Sequence, residues 1–136
     1  MPVSYRYSSE SRIVEITCSG ELTIDEIMKY FSDLRDDTSI PPGAIELVDL
    51  SLIGHFNVDF QGASAMPSGY KSAQESKEIR ATILFGMNRL NQGLASLIQA
   101  HFLHTLPHHP FHLAVNEREA RALADKLHAD CEEETG

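Results

Sequence analysis

Five of the seven histidines, His101, His104, His108, His109 and His112, fall within twelve residues. His101 and His104 stand one helical turn apart, so both imidazoles could face one ion, and the following loop could return His108 or His109 as a third ligand. Pro107 and Pro110 interrupt that loop, and no cysteine stands near it. A protonated histidine near the C-terminus of a helix also complements the helix dipole. That plainer role is the expected one, with no metal and no other cofactor. His112, flanked by Phe111 and Leu113, should alternate to the opposite face of its strand.

Other chemistry is sparse. Asp49 and Asp59 could do acid–base work at the mouth of a strand, but acids there more often cap loops. Ser64 and Ser68 are surface serines near Pro67, and His55 lies in a loop, but the Gly-x-Ser-x-Gly elbow of a hydrolase is absent. Gly86-Met87-Asn88 lacks the glycine spacing of a dinucleotide or phosphate loop. Cys18 and Cys131 are too few and too far apart for a disulfide framework or a zinc site. The expectation is a protein with no catalytic residues.

A ligand, where one binds, should sit outside the carboxyl ends of parallel strands. That selects Ser51, Gly54, His55, Phe56 and Asn57 after one strand, with Asp59 beyond them, and Gly86, Met87 and Asn88 after the next. Both turns lead into helix N-termini, which suits an anionic group. Phe56, Phe60 and Met87 could instead line an apolar crevice or an oligomer contact.

The elements that must position these residues follow from periodicity and punctuation. Val3–Tyr7 and Arg12–Cys18 alternate as strands around the turn residues Ser8-Ser9-Glu10-Ser11, a hairpin closed by Ser19-Gly20. Thr23-Ile24-Asp25-Glu26 is a capping box, and Ile24, Ile27, Met28, Phe31 and Leu34 behind it form one helical stripe ending near Asp37, before Pro41-Pro42-Gly43. Ala44–Leu50 is an interior strand, followed by a loop over Ser51–Asn57. Val58–Glu78 reads as helical with a break or kink at Pro67. Ile79–Phe85 is the next strand, closed by Gly86. Asn88 caps a helix whose stripe is Leu90, Leu94, Leu97, Ile98 and Phe102. Phe111–Val115 is the last strand, and Asn116 caps a helix carrying Ala120, Leu123, Ala124 and Leu127.

The order is β-β-α-β-α-β-α-β-α. It predicts an α/β fold with a single mixed, mostly parallel sheet of about five strands flanked by about four helices. Residues 1–130 form one domain, and 131–136 a flexible acidic tail. A chain of 136 residues with 42% hydrophobic and 23% charged residues has enough apolar surface for one core. Its formal net charge of −9 argues against nucleic acid and anionic membrane as partners. No apolar stretch approaches the roughly 18 residues of a membrane span. Met1–Arg6 has no apolar block like that of a signal peptide, so the expected compartment is the cytoplasm. Protonating all seven histidines would bring −9 to −2, so acid should promote association.

The pattern resembles the STAS domains, and more narrowly the SpoIIAA-like proteins related to anti-sigma-factor antagonists. The resemblance spans residues 3 to about 128. It is carried by the opening hairpin, Gly20-Glu21-Leu22-Thr23, Glu46-Leu47-Val48-Asp49-Leu50-Ser51 with the run into Asp59-Phe60, Ala81-Thr82-Ile83-Leu84-Phe85-Gly86-Met87-Asn88, Gly93-Leu94-Ala95, and the closing strand leading to Ala120. It implies a binding or regulatory module without chemistry of its own, acting on a protein partner or a second copy of itself as a homodimer. The group also resembles one half of the lipid-transfer CRAL-TRIO fold, which implies as the alternative a carrier or sensor of a small apolar or anionic ligand. In phosphorylated antagonists a serine opens the helix after the third strand, in a pattern like Asp-Leu-Ser-x-Val-x-Phe-Met-Asp-Ser-Ser-Gly. Laid on Asp49-Leu50-Ser51, the paired serines fall on Val58 and Asp59, with Phe60 where glycine is expected. Neither offers the hydroxyl a kinase needs, and Asp59 would put a permanent charge at that helix start.

Overall fold

Strands β1 (Val3–Ser8) and β2 (Ile13–Thr23) pair antiparallel, Val3 opposite Cys18 and Ser8 opposite Ile13. The computed structural model describes residues 2–135, with side chains through residue 131. The turn closes with the Arg12 amide donating to the Ser8 carbonyl at 2.8 Å. Next come α1 (Ile24–Asp36), β3 (Ile45–Asn57), α2 (Phe60–Lys77), β4 (Ala81–Phe85), α3 (Arg89–Thr105), β5 (Phe111–Ala114) and α4 (Glu117–Thr135). The five strands form one sheet in the order β1-β2-β3-β4-β5, parallel from β2 onward. The expected mixed, mostly parallel α/β sheet is the one observed.

Several boundaries differ from the sequence reading, each for a physical reason. Ser51–Asn57 is not a loop. Polar residues and Gly54 hide a strand there, because β2 also runs on past Ser19-Gly20 and the two extensions pair, Ser19 with Leu52 through Thr23 with Asn57. Gly20, at φ 66°, sits at a register shift rather than ending the strand, and Leu22, Ile53 and Phe56 are buried beyond it. Helix α2 is unbroken through Pro67, which is buried within it. Strand β4 begins at Ala81 rather than Ile79. Leu90 is 91% exposed in the first turn of α3, outside the stripe assigned to it, and Val115 lies beyond β5 at 76% exposure. Helix α4 continues to Thr135, into the segment read as an acidic tail. Gly136 and the side chains of Glu132, Glu133 and Glu134 in that segment lie outside those described.

Caps fall where the sequence puts them. Thr23 Oγ1 accepts from the Glu26 amide at 3.4 Å, Asn88 Oδ1 from the Asn91 amide and Asn116 Oδ1 from the Glu119 amide, both at 2.9 Å. Two cores flank the sheet. Alternation along β3 sends Ile45 and Leu47 to one face, where Ile83, Phe85, Ala120 and Ala124 place α4. Residues Leu50, Leu84 and Phe111 turn to the other face, under Ile27, Phe31 and Leu34 of α1, Met66 and Tyr70 of α2, and Ile98 and Phe102 of α3. Helices α1 and α2 approach so closely that a Cβ on Gly69 would lie 2.5 Å from Met28 Sδ.

Candidate functional site

The residues read as a strand-end site are distributed over three places. Ser51 and Gly86 meet where the β3–β4 pairing ends. The Ser51 amide and hydroxyl both donate to Asp49 Oδ1, at 2.9 and 2.6 Å. Gly86 takes φ 83°, and a Cβ there would lie 3.0 Å from the Ser51 amide nitrogen. Met87 packs partly buried against the larger core, and Asn88 is the cap of α3. Gly54, His55 and Asn57 lie exposed along the β3 extension, Asn57 Nδ2 donating to Glu21 Oε1 at 3.3 Å, while Phe56 is turned inward. Asp59 is the N-cap of α2, Oδ1 accepting from the Gly62 amide at 2.7 Å. Crevices outside strand ends form where strand order reverses, and this sheet advances by one neighbour at every step.

The histidines are separated. His101 packs edge-on against Phe60, ring centroids 5.5 Å apart, and its Nε2 is buried without a partner. His104 and His108 are exposed. His109 is buried against Thr82 and Tyr70 on the α1–α3 side of the sheet, and His112 pairs in register with Ile83, whose side chain faces α4. Among the described residues no three of His, Cys, Asp and Glu gather where a metal ion could be held. Burial lowers His109 to about 4 and also lowers His112.

What the sequence reading missed is a polar cluster inside the larger core. Glu46, on β3 and 2% exposed, shares the inward face with Val48 and Leu50. Tyr30 of α1 donates to its Oε2, while Tyr70 of α2 and Thr82 of β4 donate to Oε1, Thr82 at 2.8 Å. Thr82 Oγ1 also lies 2.8 Å from His109 Nε2. Burial raises the Glu46 carboxyl and the three hydroxyls oppose it, while both tyrosines are pushed well up by burial and by the carboxylate they face. A glutamate in register with Val48 and Leu50 was the available signal.

This cluster borders a cavity of about 80 Å³ between the sheet and α1–α3. Its walls are otherwise apolar, among them Ile16, Cys18, Met66, Ile98 and Phe102, and Phe56 reaches it from the β3 extension. Burial pushes the Cys18 thiol up to about 12, so it serves there as a small apolar group.

No protein-family model matches the chain, and no curated protein matches its sequence. Its likeness is three-dimensional. An uncharacterised protein of the DUF3478 family with a SpoIIAA-like fold, from Shewanella loihica, is 13% identical, with a TM-score of 0.52 over 90% of this chain and 91% of that one. This chain has a SpoIIAA-like fold. The anti-sigma-factor antagonist SpoIIAA in its unphosphorylated form is 15% identical, with a TM-score of 0.48 over 87% of this chain and 93% of its own. Within the SpoIIAA-like fold of this chain, Val58 and Asp59 stand directly before α2, with Asp59 in the cap. No helix among the described residues is long and apolar enough to cross a membrane.

Proposed function

We propose that the protein is a non-enzymatic binding module that carries or senses a small, largely apolar molecule in the cavity between the sheet and α1–α3. One observation carries this reading: an apolar cavity of about 80 Å³ bordered by a buried carboxyl that accepts three hydrogen bonds. Burying a carboxyl is costly where packing is the only requirement, since apolar side chains would fill the same space without that penalty. The reading puts the site inside the sheet–helix layer rather than at the strand ends, and the protein in the cytoplasm. Solvent extraction of freshly purified protein, followed by mass spectrometry, should release a small molecule in a fixed ratio to the chain. A Val48→Phe variant, which fills the cavity, should release none. Equal recovery from both proteins would overturn the reading.

Protein contacts are the second reading, favoured by Leu52, Phe60 and Leu90, which are 61%, 65% and 91% exposed. Sedimentation of the chain beside a Phe60→Ser, Leu90→Ser variant tests it for self-association. A dimer lost in the variant supports it, and two identical monomers remove the homodimer.

A further inference from the structure

We propose that the free edge of β1 is a self-recognition surface, on which a second copy of this chain adds its own β1 antiparallel across a two-fold axis. The inference rests on the protein-contact reading above and assigns it to β1 and α1 instead of Phe60 and Leu90. Strand β1 ends the sheet on one side, and no strand among the described residues lies beyond it. The Ser19 amide donates to the Pro2 carbonyl at 2.8 Å, so alternation along the hairpin turns the backbone groups of Ser4 and Arg6 toward β2. Those of Val3, Tyr5 and Tyr7 point outward, an N–H and a C=O from each, and form an open template. The usual guards are missing. Val3–Ser8 holds no proline, its pairing with β2 has no bulge, and its one charge, Arg6, is drawn onto Glu15 at 3.0 Å. The opposite edge is guarded: β5 has only four residues, and Gln99 Nε2 donates to the Phe111 carbonyl at 2.9 Å.

The register follows from symmetry. A two-fold axis perpendicular to the sheet keeps the α1 sides of both copies level, so outward residues meet only outward residues. Centring the pair on Ser4 or Arg6 leaves one of the three outward residues in each copy unpaired, and centring on Arg6 also sets arginine against arginine. Centring on Tyr5 engages all three: Val3 meets the second copy's Tyr7, Tyr5 meets its own equivalent, and Ser4 meets Arg6. The second copy's Tyr7 then stands beside Val3, at the mouth of a mostly apolar groove of about 250 Å³ between β1 and α1. Tyr5, Tyr30 and the Lys29–Asp33 ion pair wall that groove, which suits an aromatic ring.

A strand pair of this length buries less than a permanent dimer needs, so sedimentation velocity of the full chain should show a dimer that grows with concentration. Ser4 is exposed, so substitutions there probe the register without touching the core. Ser4→Arg sets like charges together twice per dimer and should weaken it about tenfold, whereas Ser4→Glu gives Arg6 a carboxylate and should tighten it about threefold or more. Amide exchange followed by NMR should slow with concentration at Tyr5 and Tyr7 but not at Arg6, and the Phe60→Ser, Leu90→Ser variant should dimerise like wild type. A dimer indifferent to both Ser4 substitutions, or weakened by both, overturns the Tyr5-centred pairing and leaves the protein-contact reading in place. A monomer at every concentration overturns the pairing and the homodimer together.

Discussion

His109 meets Thr82 through Nε2 and is buried, so a second proton on the ring carries its charge into the core. Its ordinary value near 6.5 falls to about 4 in the fold. Between those values the unfolded chain binds more protons than the folded one, so stability drops as pH falls through that window, by about 3 kcal/mol at most. Glu46 slopes the other way: its raised carboxyl makes the folded chain hold the extra proton, and stability falls as pH rises through its titration. Urea unfolding across a pH series should show both limbs, with His109→Gln removing the acid-side loss and Glu46→Gln the loss on the other side. Thr82→Val keeps the volume but takes away the partner of His109 Nε2 and withdraws one donor from Glu46, and should cost about 2–3 kcal/mol. Little of this cluster was legible in the chain. Tyr30, Tyr70 and Thr82 stand 16, 24 and 36 residues from Glu46, and only tertiary packing brings them to it. The histidines were conspicuous as a group, yet the one that joins the cluster does so through a threonine.

At the scale of elements, helices and their caps were readable because their signals are local: Thr23, Asn88 and Asn116 act where the sequence put them. The β3 extension was unreadable because its partner is the equally polar end of β2, and neither announces itself alone. Asp59 allows a sharp separation of roles. Asp59→Ala should cost about 1 kcal/mol, while Asp59→Asn, which still caps, should cost much less in thermal unfolding. A partner that reads the charge would instead distinguish Asp from Asn. Gly86→Ala forces a side chain into φ 83° and 3.0 Å from the Ser51 backbone, and should lose about 2 kcal/mol or more. Gly69→Ala should be milder, since the atom it meets is the flexible end of Met28.

For the whole molecule, the charge of −9 shrinks in acid, but His109 and His112 resist protonation, so the charge stays more negative than −2 near pH 5. Light scattering from pH 8 to 5 should show particle size rising as repulsion weakens, and no change would dispose of charge as the control on association. The fold class was legible because helix and strand periods alternate along nearly the whole chain. Neighbour order was not, and it decides where a crevice can form. Each strand lies beside the one that precedes it in the chain, and α1, α2 and α3 all settle on one side. A nascent polypeptide leaving the ribosome therefore never waits for a distant segment: every newly emerged strand finds its neighbour already made, and α4, translated last, seals the back of the finished sheet.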